Sequence, residues 1–282
     1  MTLKININIR SLPNEIEKFI IKKFNKNILK LYAKIQDDEL NMIKSMTKNR
    51  FSNESFLISD ELIKSIRSSF VRNHMIKKHF NLKNNIHKII KNYKEGIDIL
   101  KLTSKYDISP LNILREIFYK KYGMKLSKLI LKPDLLDAYD YSQLKIAIDN
   151  DEYALIDNSK ILKESINFEK KIEEFLKDNS IKYVTQEELA KEQLKKYGRI
   201  INTPDFLIKS DFFINNRKIN WIDAKNFYGT KIPFIKDKIK KQTLKYLNKW
   251  GTGCIIFNYG FNENLKFTNI LFLDYFSLIN KK

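Results

Sequence analysis

Cysteine, histidine, glycine and proline are all scarce in this chain. Its single cysteine, Cys254, has no partner for an internal disulfide, so the fold is not a covalently stapled one and a reduced intracellular compartment is expected. Because Cys254 sits in the apolar run Gly253-Cys254-Ile255-Ile256-Phe257, the thiol reads as a buried packing group rather than a nucleophile. The three histidines, His74, His79 and His87, are separated by gaps of five and eight residues, with no cysteine or nearby acid to complete a ligand set. That spacing argues against a histidine metal site on one helix. No run approaches the roughly 18 apolar residues of a membrane span, and Met1-Thr2-Leu3-Lys4 does not open a secretory hydrophobic segment. A soluble intracellular protein is therefore expected.

With 43% hydrophobic and 12% aromatic residues against only seven glycines and five prolines, the composition is that of a packed globular chain. A length of 282 residues favours two domains, placed here at 1–150 and 151–282. The net charge is +20, and both halves are basic. A field of that sign concentrates polyanions, with nucleic acid placed ahead of an acidic membrane surface.

Apolar residues spaced by three or four predict helix over 14–49, and a second helix starts after Ser59, whose hydroxyl can cap it. From Arg72 to Lys94 there is no acid, and Arg72, Lys77 and Lys78 head a basic face that reads as either solvated or phosphate-contacting. Residues 96–121 give a helix-turn-helix-like pattern, with Ser109 as cap and Pro110 at the first helical position. Leu111, Leu114, Ile117 and Phe118 would bury the second helix and leave Arg115 for a partner, DNA or protein. An acidic patch, Asp134 to Asp157, is expected to hold the domain boundary.

Beyond it, the expected order is a helix at 162–178, a short strand Ile181 to Val184, strands at 205–214 and 218–225, a helix at 234–249, and strands Cys254–Asn258 and Thr268–Leu273. The fold class is thus α/β, a helical N-terminal domain followed by an αβββαβ core. An antiparallel pair turning at Asn215-Asn216-Arg217 would bring Asp205, in Thr203-Pro204-Asp205, beside Asp223, in Trp221-Ile222-Asp223-Ala224-Lys225. Strand alternation puts Asp223 and Lys225 on one face. Two carboxylates, the Ala224 carbonyl and an ammonium suit hard Mg²⁺, with Mn²⁺ as a substitute, and phosphodiester hydrolysis. Among weaker candidates, Tyr228, Lys231 and Lys236 follow the strand as phosphate contacts or an ordinary basic loop. Trp221 and Trp250 read as core anchors rather than base-stacking platforms.

Over residues 166–262 the chain resembles the PD-(D/E)xK nuclease superfamily, and within it the codanin-interacting nuclease family with its Thr-Pro-Asp signature. Phe168-Glu169, Thr203-Pro204-Asp205-Phe206, Trp221-Ile222-Asp223-Ala224-Lys225, Gln242, Gly251-x-Gly253 and Tyr259-Gly260-Phe261 carry the resemblance. It implies a restriction-endonuclease-like core, Asp205 and Asp223 as metal ligands and Lys225 as the catalytic lysine. It further implies Glu169 as the acid of the first core helix and Gln242 as the polar residue of the following helix. Glu173 and Glu174 remain substitutes for Glu169, and Asp223 stands where relatives carry Glu. The resemblance also implies a codanin-like partner and a nuclear as well as cytoplasmic location. The leading expectation is a metal-dependent DNA endonuclease acting on duplex or junction DNA. A non-catalytic nucleic-acid-binding adaptor and an RNA nuclease are the alternatives.

Overall fold

The computed structural model describes residues 2–24, 28–52, 56–154 and 158–280. They form two compact units, one drawn from residues 1–18, 47–66 and 158–282, the other from 19–46 and 67–157. The division is less simple than a boundary near residue 150, because the start of the chain is recruited by strand pairing. Leu3, Ile5, Ile7 and Ile9 alternate with polar residues, the pattern of a half-buried strand.

In the first unit the strands are β1 (Thr2–Ile5), β2 (Tyr183–Thr185), β3 (Phe206–Ile208), β4 (Asp211–Ile214), β5 (Arg217–Lys218), β6 (Trp221–Lys225), β7 (Gly253–Phe257) and β8 (Ile270–Asp274). They make a three-stranded sheet of order β1-β4-β5 and a five-stranded sheet of order β2-β3-β6-β7-β8. The expected strands 205–214 and 218–225 each divide between the two sheets. Ile208 still pairs with Asn220 through its N–H (2.9 Å), whereas Ile219 turns its N–H to Phe212 (2.9 Å). Asn215 and Asn216 take φ of 50° and 61°, as a two-residue hairpin turn requires. The Asn215 side chain also accepts from Ile7 N (2.8 Å) and donates to Ile7 O (2.9 Å), extending the join to the chain start.

β6 is the central strand of the larger sheet, antiparallel to β3 and parallel to β7, and β7 is parallel to β8. The helix Pro233–Trp250 makes the crossover that a parallel pair needs. Phe168, Ile172, Phe175 and Leu176 of the helix Asn158–Asp178 share one core cluster with Ile222, Ala224, Cys254 and Ile256. Trp221, Ile255 and Phe257 share another with Ile239 and Tyr246 of the crossover helix. Covered on both faces, β7 and β8 read as continuous apolar runs. Cys254 is buried and free, and burial pushes its thiol pKa up, which fits a packing role. The helix Gln186–Tyr197 was not expected; it opens on a capping box, Thr185 with Glu188.

In the second unit the single helix expected over 14–49 is interrupted at 33–36, and residues 25–27 lie outside the described set. Buried Arg67 supplies the reason. Its guanidinium donates to the carbonyls of Lys30 (3.0 Å), Leu31 (3.1 Å) and Ala33, taking acceptors that a continuing helix would use. The helices Ile99–Tyr106 and Pro110–Tyr122 follow one another across a short turn, with Leu111, Leu114, Ile117 and Phe118 buried. Ser109 caps the second through Asn112 N (3.3 Å). Of the acidic patch, Asp140 and Asp151 are buried, Asp140 accepting from Tyr93 Oη (2.8 Å) and Asp151 from Leu111 N (3.2 Å) at the start of the second helix, and Asp157 lies outside the described residues. Among the described residues no helix is long and apolar enough to cross a membrane.

Gly253 lies under the Trp221 ring, where an added Cβ would stand 2.1 Å from two indole carbons. Gly253→Ala should therefore cost about 1–3 kcal/mol through overpacking, read as a lower denaturation midpoint at unchanged slope. An unchanged midpoint would mean that the indole does not pack on this backbone.

Candidate active site

The register Phe206↔Ile222 and Leu207↔Trp221 continues to place Asp205 opposite Asp223. Asp205 Oδ2 accepts from Ala224 N at 2.6 Å, so the Thr-Pro-Asp loop is fastened to β6 at the position between the motif acid and the motif lysine. Alternation along β6 turns Asp223 and Lys225 to the same face, and Lys225 Nζ stands 2.5 Å from Asp223 Oδ2. Their side chains are 1% and 15% exposed, a pair almost removed from water.

Gln242, on the crossover helix, completes the cluster. Its Oε1 accepts from Lys225 Nζ (3.2 Å), and its Nε2 donates to Asp223 Oδ1 (3.5 Å) and to Tyr246 Oη (2.8 Å). Tyr246 in turn donates to the carbonyl of Thr203 at 3.1 Å, tying the helix back to the loop that carries Asp205. That loop has a second holder in Gln193, buried on the helix Gln186–Tyr197. The Gln193 side chain accepts from Ile201 N (2.7 Å) and Asn202 N (3.1 Å) and donates to Asn202 O. Sequence reading missed Tyr246 and Gln193. The signals were a Tyr one turn after Gln242 and the capping box that starts the Gln193 helix.

Glu169 lies half-buried on the helix Asn158–Asp178. Burial and then the charge of Asp223 push its pKa up, while Lys225 opposes the shift. Neighbouring Glu173 is engaged elsewhere, accepting from Tyr183 Oη (2.7 Å) and pairing with Lys177 (2.9 Å), and Glu174 is exposed. Of the three acids, Glu169 is thus the one that the cluster feels. Asp205 is pushed well above the usual carboxylate range, by burial first and by Asp223 second, against the opposing Lys225 and Ala224 N–H. For Lys225 burial favours the neutral amine, but Asp223, Asp205 and Glu169 outweigh it and hold the ammonium charged.

Asp205 and Asp223 therefore meet one ammonium, with the charge of Glu169 felt by the cluster, an excess of negative charge in a poorly hydrated place. Asp223 Oδ2 is also buried, with Lys225 Nζ as its close partner and no second donor among the described residues. Both observations fit a hard cation. Among the described residues no three His, Cys, Asp or Glu side chains gather into a ready ligand cluster. Mg²⁺ does not need one, because it commonly takes one or two carboxylates and completes its shell with water and phosphate oxygens.

The residues singled out for nucleic acid fall apart in the structure. Arg72, Lys77 and Arg115 are exposed in the helical unit, where Arg115 donates to Asn112 Oδ1 (2.7 Å), and Lys78 is paired with Asp107 (2.6 Å). Lys231 is exposed and follows β6 in the sheet unit. Tyr228 is a correction: it is fully buried and donates to Glu17 Oε2 (3.0 Å), so it faces no phosphate. Trp221 is fully buried, as a core anchor should be.

Residues 138–276 match a family model described as "Protein of unknown function TPD sequence-motif". The chain is also similar, 29% identical over 286 residues, to the uncharacterized protein L539 of Acanthamoeba polyphaga mimivirus, covering 96% of this chain and 87% of that protein. It is 26% identical over 181 residues to the CDAN1-interacting nuclease 1 of Xenopus laevis and to that of Xenopus tropicalis. In both cases the match spans 59% of this chain and 56% of the relative. No solved structure matches. The Thr-Pro-Asp family match and the two Xenopus relatives support the resemblance to the codanin-interacting nucleases.

Tyr246→Phe removes the hydroxyl that joins Gln242 to Thr203 and leaves two partners unmet. A loss of about 1–3 kcal/mol in urea unfolding is expected, and a neutral substitution would show that the helix does not brace the loop.

Proposed function

We propose that the chain is a Mg²⁺-dependent nuclease of the PD-(D/E)xK type that hydrolyses phosphodiester bonds in DNA. The observation that carries this reading is the convergence of Asp205, Asp223 and Lys225 at a poorly hydrated spot with more carboxylates than cations. A structural ion pair has no physical need for the extra acids, since each adds repulsion and desolvation. The names of the Xenopus relatives support nuclease chemistry in proteins that share the motif region.

In this reading Asp205, Asp223 and the Ala224 carbonyl would hold the cation, and Glu169, which feels the charge of Asp223, would complete the set directly or through water. When bound, the cation lowers the pKa of a water and polarises the scissile phosphate. Lys225, kept charged by its neighbours, stabilises the negative charge that grows on the phosphate oxygens in the transition state. Gln242 fixes the ammonium's direction, and Tyr246 and Gln193 fix the loop that presents Asp205. The low exposure of the pair strengthens each of these electrostatic contacts. The exposed cations of the helical unit, Arg72, Lys77 and Arg115, supply further duplex or junction contacts, and that unit is also the proposed surface for a codanin-like partner in the nucleus or cytoplasm.

Wild type should cleave at least one member of a labelled panel of duplex, single-stranded, flap and four-way-junction DNA with matched RNA when Mg²⁺ or Mn²⁺ is present. Asp223→Ala and Lys225→Ala should each lower the rate by about 10²-fold or more, the scale of losing one transition-state donor. Folded wild type that binds the panel yet cuts nothing with either metal would replace the enzyme with a nucleic-acid-binding adaptor. Cleavage confined to RNA would move the substrate.

A further inference from the structure

A groove of about 360 Å³ opens beside the carboxylate cluster, lined by Ile200, Ile201, Asn202 and Thr203 on one side and by Lys238, Lys241, Gln242, Lys245 and Tyr246 on the other. Two of its lining residues belong to the cluster's support, for Gln242 holds Lys225 and Thr203 accepts from Tyr246. The groove is thus walled by the residues that hold the Asp223–Lys225 pair rather than by the pair itself.

The walls differ in chemistry. Lys238, Lys241 and Lys245 occupy positions i, i+3 and i+7 of the crossover helix, so they form one line on one face. All three are exposed, and among the described residues none has an ion-pair partner. The line spans about 10 Å at 1.5 Å per residue, long enough to meet more than one phosphate of a strand. Facing it, Ile200 and Ile201 are 52% and 45% exposed, a costly placement for adjacent branched apolar residues. Gln193 clamps the backbone of Ile201 and Asn202, so these side chains are presented by a held loop.

We infer that this groove is the strand-binding subsite of the enzyme: Lys238, Lys241 and Lys245 hold successive backbone phosphates of a single nucleic-acid strand, while Ile200 and Ile201 pack against its sugars and unstacked bases. The occupant follows from charge and shape together. A cationic line selects a polyanion, and exposed apolar side chains facing it suit unstacked bases and sugars, which a single strand offers and the closed outside of a duplex does not. The inference rests on the nuclease reading and deepens it by naming the residues that position the strand.

Binding and cleavage separate the two. Anisotropy of a labelled 12-nucleotide DNA, its RNA counterpart and the corresponding DNA duplex is measured with full-length protein in EDTA across a salt series. Lys238→Glu/Lys241→Glu/Lys245→Glu is compared with a charge-matched control, Lys4→Glu/Lys163→Glu/Lys266→Glu. The groove variant should weaken single-strand binding by tenfold or more and reduce the slope of log Kd against log salt by about 0.7 per lysine. The control should retain most of both. Ile201→Asp should weaken single-strand binding while leaving the duplex nearly unaffected, a readout that loss of charge does not mimic. In steady-state cleavage the groove variant should raise KM with little change in kcat. Equal losses in groove and control variants, or a loss confined to the duplex, would overturn the subsite. If the groove variant loses binding as expected but wild type never cleaves, the subsite stands and the nuclease reading falls. If Asp223→Ala abolishes cleavage while the groove variant behaves as wild type, the reverse holds.

Discussion

A carboxylate that is 1% exposed and an ammonium 2.5 Å away sit on the middle strand of a five-stranded sheet, and much of the first unit is arranged around them. Taking two charges out of water costs several kcal/mol per ion, and their attraction repays it only when the geometry is held. The holding is visible residue by residue. Gln242 reaches both charges, Tyr246 carries the connection to Thr203, and Ala224 N–H fastens Asp205. Trp221, two residues before Asp223, closes the end of the strand against Gly253 and donates to Gly251 O at 2.8 Å. Gly253 is thus explained by the indole it accommodates, and Gly251 by its φ of 75° at the end of the crossover helix.

The protein contains buried acids of two kinds, and the contrast clarifies what the cluster is for. Asp151 accepts from Ser109, Leu111 N, Tyr153 N and Ala154 N, and Asp140 from Tyr93, Lys121 and Tyr122. Each is surrounded by donors, as a structural carboxylate should be. Asp205 and Asp223 instead share a single ammonium between them, and the charge of Asp223 is felt by Glu169. The cluster thus carries more negative than positive charge, whereas Asp140 and Asp151 are each met by donors.

The sequence made the centre of this arrangement readable because the centre is governed by short-range rules. Alternation put Asp223 and Lys225 on one face of β6, the hairpin asparagines set the register, and Ser109-Pro110 marked a helix start, all as found. What escaped depended on distant partners. The helix Gln186–Tyr197 has only Leu189 and Gln193 buried, too few apolar positions to show a stripe, although Thr185 and Glu188 announced its start. The break near residue 33 is made by Arg67, a residue no local pattern connects to it. Burial of Tyr228 arises from Glu17, which pairing at the far end of the chain brings alongside. The hairpin's division between two sheets likewise follows from the chain start pairing with β4, which no local window around Asn215 reveals.

That last pairing also sets a schedule for the chain's birth. β1 lies parallel to β4, with Thr2 opposite Asp211, so β1 is made about 200 residues before its neighbour exists. At ribosomal rates of about 5–20 residues per second this is on the order of 10–40 s. Throughout that time Leu3, Ile5, Ile7 and Ile9 form an unpaired alternating segment, the kind of edge that other chains can join. Lys4 within the segment and Arg10 just after it put positive charge along that edge, the kind of residue that discourages such joining.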